Sequence, residues 1–176
     1  AGAADPTQQE LHFLYEVNRA RSDPAGWAIE YGLNSILGGD GQYVTLTGVA
    51  PKPPLALNPA LVDSARFKAQ ELANFNYFAH QSQVAPDYYW PNELARNVFG
   101  YPLAATVPAG GSSYYTINDN SNQIESLAAG YGGGTSNYAL AINAVTGLIV
   151  DSGVPSLGHR VHLLATSDFA SAFVEA

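Results

Sequence analysis

Apolar residues recur at helical spacing in several stretches of the chain, and most of these stretches open on a recognisable cap. Thr7-Gln8-Gln9-Glu10 reads as a capping box, with Thr7 accepting from a free amide and Glu10 reaching back. Leu11, Leu14, Tyr15 and Ala20 then supply the apolar stripe of a first helix. Asp23-Pro24 restarts a helix that runs through Trp27 and Ile29 to Gly32. Asn58-Pro59 opens the strongest helix by the same logic. Its face is Leu61, Ala65, Ala69, Leu72 and Phe75, and His80 is expected at its end. Shorter helices are predicted over 92–98, ending at Gly100, and over 123–129, stopping at Gly130. A helix over 137–150 follows, its stripe Tyr138, Ala141, Ile142, Val145 and Leu148 or Ile149. Gly153-Val154-Pro155 breaks it, and a last helical turn is predicted over 159–164.

Strands are fewer. Residues 33–54 are rich in Gly and Pro and read as a long loop with one short strand at 43–46. Residues 102–122 form a polar excursion with a strand near 114–117, and 169–174 read as a strand. The sum is an α/β chain of helices stacked on a small sheet. No repeat or linker divides it, so all 176 residues are expected to form a single domain. A final strand at 169–174 needs a neighbour.

Composition narrows the partners. Net charge is -8 with only seven Lys and Arg, so phosphate backbones are repelled and nucleic acid is not an expected partner. No apolar run approaches the roughly 20 residues of a membrane helix, so no transmembrane segment is expected. The chain has no Met, and Ala1-Gly2-Ala3-Ala4-Asp5-Pro6 reads as a mature end left by a signal peptidase. A secreted or extracytoplasmic location is therefore the expectation. With no Cys, a disulfide framework is excluded.

Candidate chemistry rests on His12, His80, His159 and His162 and on scarce acids. His80 at a helix end reads either as a cap or as a ligand. His159 follows Gly158, which allows close backbone approach, and His162 shares its face if the stretch is helical. Glu125 falls in a first helical turn, where the dipole favours a carboxylate. Asp151 falls at a helix C-terminus, where it is mildly unfavourable and so calls for another reason. Ser126 is a conceivable nucleophile, but no local sequence ties a histidine to it. Asn118-Asp119-Asn120-Ser121-Asn122 offers alternating oxygens that hint at Ca²⁺, against which stands a polar Asx-turn loop.

The order Tyr77-Phe78-Ala79-His80, Glu125-Ser126-Leu127-Ala128-Ala129-Gly130, Leu148-Ile149-Val150-Asp151 and Gly158-His159-Arg160 resembles the CAP superfamily. That superfamily includes cysteine-rich secretory proteins, venom antigen five and plant pathogenesis-related proteins of group one. Asn18-Arg19-Ala20-Arg21, Leu55-Ala56-Leu57-Asn58-Pro59-Ala60-Leu61 and Gly100-Tyr101 match as well, and the stretch 150–160 looks like a bacterial branch without cysteines. The resemblance runs from about Gln9 onward and implies a three-layer α-β-α sandwich of the SCP-like type; because such proteins continue through further strands, it also implies that the C-terminal part of the sheet is missing, through cleavage or truncation, or that a second polypeptide pairs with 169–174 to supply it. It also implies a cleft where His80 and His159 hold Zn²⁺ or another divalent metal, beside the acids Glu125 and Asp151. Two strong ligands leave such a site open to water or substrate. Three positions depart from the family pattern: Ser126 for Asn, Leu148 for an aromatic residue, and Asp151 for the commoner Glu.

Three functions stay open on this reading. One is a secreted binding module for an apolar, glycan or peptide ligand, with Tyr88, Tyr89, Trp90, Tyr114 and Tyr115 as candidate stacking rings or as ordinary surface and core aromatics. Another is a metal-assisted, peptidase-like hydrolase in which Glu125 or Asp151 is the catalytic general base. The third is a structural or adhesive module of a larger exported protein.

Overall fold

The computed structural model describes residues 5–108, 113–130 and 136–166. They gather into two compact units, one of residues 57–125 with Asp5 and one of 6–56 with the chain from Ser126 onward. Among the described residues there are six α-helices and a two-stranded sheet, a mixed α and β composition. No helix among them is long and apolar enough to cross a membrane. The strand predicted over 169–174 lies outside the described residues.

The discontinuous unit begins with α1 (Gln8–Ser22), whose capping box forms as its sequence requires: Thr7 and Glu10 each bond the other's backbone. Helix α2 (Pro24–Glu30) follows under an Asp23 cap, and a 3-10 turn (Leu33–Ser35) after it. Helices α5 (Asn137–Val150) and α6 (Gly158–Leu164) complete this unit, and both pack against α1. Its core joins Val17, Ala20, Trp27 and Ala28 to Val145, Leu148, Ile149, Leu163 and Leu164. The stripe expected on α5 is buried at Ala141, Val145, Leu148 and Ile149. On α1, however, Leu11 and Tyr15 are exposed, and the buried face carries Glu16 and Arg21 beside Val17 and Ala20.

Glu16 is wholly enclosed because donors from around it converge on its carboxylate. Trp27 Nε1 lies 3.1 Å away, Tyr31 Oη 3.0 Å and Tyr138 Oη 2.9 Å, and Arg19 pairs with it. Burial raises a carboxyl's pKa, but these bonds outweigh it and hold Glu16 below the usual carboxylate value.

The strand expected over 43–46 reduces to one bridge, Leu37 to Tyr43. Leu46 has φ +51°, which ends the extended run, while Val44 and Leu46 still turn into the core.

The other unit holds α3 (Pro59–Phe75), with Asn58 Oδ1 accepting from Ala60 and Leu61. Helix α4 (Pro91–Glu93) runs into a π turn (Leu94–Val98), and together they occupy the predicted span 92–98. Strands β1 (Thr106–Pro108) and β2 (Tyr114–Thr116) pair antiparallel with Thr106 opposite Thr116. The apolar stripe expected on α3 is not its buried face: Ala65, Ala69 and Phe75 are exposed, and Lys68 and Glu71 are buried instead. Their partners explain it. Tyr77 Oη lies 2.6 Å from Glu71 Oε2 and 3.1 Å from Lys68 Nζ, and Ser82 donates to Glu71.

Candidate functional site

The four site residues read from the sequence form two histidine–carboxylate pairs, one in each unit. In the unit of residues 57–125, His80 Nδ1 lies 2.9 Å from Glu125 Oε1. The backgrounds of both residues differ from expectation. Asn76 takes a left-handed conformation (φ +51°, ψ +52°) and ends α3 at Phe75, so His80 stands in the following loop and caps no helix. Residues 123–129 are not helical. Asn122 explains why: its Oδ1 accepts from the Ile124 and Glu125 amides, while its Nδ2 donates to the Glu125 carbonyl at 3.0 Å. Local side-chain bonds thereby use groups that a helix would need.

Asn92, fully buried, pins this loop from below. Its Nδ2 donates to the Asn118 carbonyl at 2.7 Å and to Ser121 Oγ and Gln123, and its Oδ1 accepts the Gln123 amide at 3.1 Å. Arg96 grips Leu103, Ala104 and Ile117 carbonyls and pairs with Asp119. Of the oxygens in the 118–122 stretch, the Asn118 carbonyl, Asp119 and Asn122 Oδ1 meet donors of the chain itself, and an Asx turn forms at Asn122. The rings proposed for stacking belong to this unit. Tyr88, Tyr114 and Tyr115 are exposed, and Trp90 is half-buried.

Two groups approach His80 Nδ1, because Asn122 Nδ2 is also 2.9 Å away. One ring nitrogen cannot both accept from an amide and donate to a carboxylate. The charge-assisted bond to Glu125 is the stronger, so Nδ1 carries the proton and Nε2 keeps its lone pair.

The second pair is built more tightly. Asp151 is buried at the end of α5 in a left-handed conformation. Its Oδ1 lies 2.7 Å from His159 Nδ1, and its Oδ2 accepts the backbone amides of His159 (2.9 Å) and Arg160 (3.3 Å). Those amides lie in the first turn of α6, whose N-cap, Leu157, has no acceptor side chain. Asp151 supplies the missing cap from a distance, which offsets its unfavourable place at the end of α5. Arg160 returns the contact, with Nε 2.6 Å from the Ile149 carbonyl and Nη2 3.3 Å from that of Val150. The approach is so close that a Cβ on Gly39 would lie 2.3 Å from the Asp151 carbonyl oxygen, so only glycine fits there. With Nδ1–H on Asp151, His159 too has its lone pair on Nε2.

A third contact was not legible in the sequence. Ser126 Oγ and His162 Nδ1 are 2.8 Å apart. Burial, with the neighbouring His159 imidazole as a lesser cause, holds the His162 pKa below the usual histidine value. The only hint was the i, i+3 spacing that puts His162 on the same face as His159.

Chemically, each pair matches the way metal-ligating histidines are commonly oriented: a carboxylate on one ring nitrogen and a lone pair on the other. Within either unit, no three histidine or acidic side chains gather as a ready cage among the described residues. Any ion there would complete its shell with water or ligand. No family model, curated protein or solved structure matches the chain.

Proposed function

We propose that the chain is an extracytoplasmic CAP-type binding module, an α-β-α sandwich in which His80 and His159 each offer a ring nitrogen to a divalent ion such as Zn²⁺. The observation that supports this reading most is shared by both histidines. Each has Nδ1 fixed on a carboxylate, 2.9 Å for His80 with Glu125 and 2.7 Å for His159 with Asp151. That fixes the tautomer and leaves Nε2 as the nitrogen to ligate. The ion would supply an open, electrophilic position for an oxygen of a lipid, glycan or peptide ligand.

Binding is favoured over metal-assisted hydrolysis by how the acids are used. Asp151 spends both oxygens on His159 and the start of α6, and it is buried, so it is a poor general base. Glu125 spends one oxygen on His80.

Zinc titration of the intact chain tests the reading. His80→Ala and His159→Ala should each lower affinity by about 100-fold or more, since ligands matter at least as much as the groups that orient them. Affinity should also fall as the solution is acidified, because protons compete with the metal for its ligands. Unchanged zinc affinity in both variants would overturn it.

A further inference from the structure

Ser126 and His162 belong to neither histidine–carboxylate pair, and the function proposed above makes no use of them. They are 36 residues apart in sequence and belong to the same unit. We propose that Ser126 is a nucleophile activated by His162, giving the chain acyl-transfer activity toward small esters. This activity needs no metal and is independent of the reading above.

Geometry carries it. The Ser126 hydroxyl is at hydrogen-bond distance from an imidazole nitrogen, the arrangement that lets a neutral ring take the hydroxyl proton as oxygen attacks. The imidazole is held in place. His162 lies in α6, whose first turn is capped by Asp151, and the residues after it, Leu163 and Leu164, are buried in the core. Its neutral form is favoured by burial, so a lone pair is present near neutral pH. The serine is approachable. Ser126 is half-buried, and Ala128, Ala129 and Gly130 beside it are exposed. Because 123–130 is not helical, the Leu127 and Ala128 amides donate to no backbone carbonyl among the described residues. The amide following a nucleophilic serine is a position used to hold an oxyanion.

The reaction balances with water as co-reactant. Ser126 Oγ bonds to the ester carbonyl carbon while its proton passes to His162 Nδ1. The tetrahedral adduct collapses, the carbon–alkoxide bond breaks, and the leaving alcohol takes that proton. Water then attacks the acyl-serine, again through His162, releasing the carboxylic acid and restoring the hydroxyl.

The test treats the full chain with a fluorophosphonate ester and locates the adduct by peptide mass spectrometry. One phosphonyl group on Ser126 is expected, absent in Ser126→Ala and unaffected by a chelator. His162→Gln should slow labelling by about 100-fold or more, the share a general base contributes. Ser126→Cys guards against a variant that fails to fold: its thiol should react with iodoacetamide faster than the same thiol in the His162→Gln background. No adduct on Ser126 in the folded protein, labelling indifferent to His162, or a Ser126→Cys thiol whose reactivity is indifferent to His162 would overturn the proposal.

Discussion

Replacing Glu16 with alanine is expected to destabilise the unit of α1, α2, α5 and α6 by about 4 kcal/mol, read as a fall in the urea midpoint. The size follows from what the carboxylate holds. Trp27 Nε1, Tyr31 Oη, Tyr138 Oη and Arg19 all donate to it, and its removal strands several of these donors away from water. Glu16→Gln keeps one acceptor oxygen but points an amide at donors, so it should recover less than half of the loss. The effect also has a pH signature. The folded-state pKa of Glu16 is depressed, so its contribution is fully present above the unfolded value near 4.5 and is lost as pH falls through the folded value. The gap between wild type and Glu16→Ala should therefore narrow below pH 4.5. A gap that stays constant on acidification, or a midpoint that does not move, would show that the buried carboxylate is not what ties these helices together.

Asp151→Asn separates charge from shape at the second pair. Asparagine tolerates the left-handed backbone at this position (φ +56°, ψ +41°) and keeps an acceptor for the amides of His159 and Arg160. The cap weakens, at a cost of about 1 kcal/mol. The larger effect is on His159, whose Nδ1 loses its charged partner and its fixed tautomer. Zinc affinity is expected to drop by about 10–100-fold, the usual consequence of removing a group that orients a ligand. Asp151→Ala should lose the same affinity and add the strain of a left-handed alanine, for about 3 kcal/mol in all. Thermal melts and zinc titrations of both variants read the two effects separately. A stability loss with zinc affinity intact would assign Asp151 to capping alone.

Local chemistry was legible in the sequence wherever a few adjacent residues decide the outcome. The caps at Thr7, Asp23 and Asn58 each start the helix they announce, and the apolar repeat of α5 matches its buried face. Legibility failed where a distant partner overrides the pattern. The stripe on α3 predicts an apolar buried face, but Tyr77 and Ser82 give Lys68 and Glu71 partners that let them be buried instead. The helix over 123–129 loses to Asn122, whose side chain binds the backbone it precedes. Hydrophobic spacing carries no trace of such bonds. The site follows the same division. His80, Glu125, Asp151 and His159 were named through the order of short motifs, and each histidine does meet an acid. Which acid meets which histidine is a tertiary fact, and Ser126 with His162 is another. Of the two residues that set the loop carrying Glu125, Asn122 was signalled only by the Asx-turn reading of 118–122, and Asn92, at the start of a predicted helix, by nothing.

The proposed metal binding stands on which nitrogen carries the proton in each of two rings, and long-range ¹H–¹⁵N correlation of the imidazoles, recorded with and without stoichiometric zinc, observes it directly. At neutral pH His80 and His159 should both appear as the Nδ1–H tautomer, and zinc should shift their Nε2 resonances while leaving their Nδ1 protons in place. Either ring found with its proton on Nε2, or both Nε2 signals unmoved by zinc, would contradict the account.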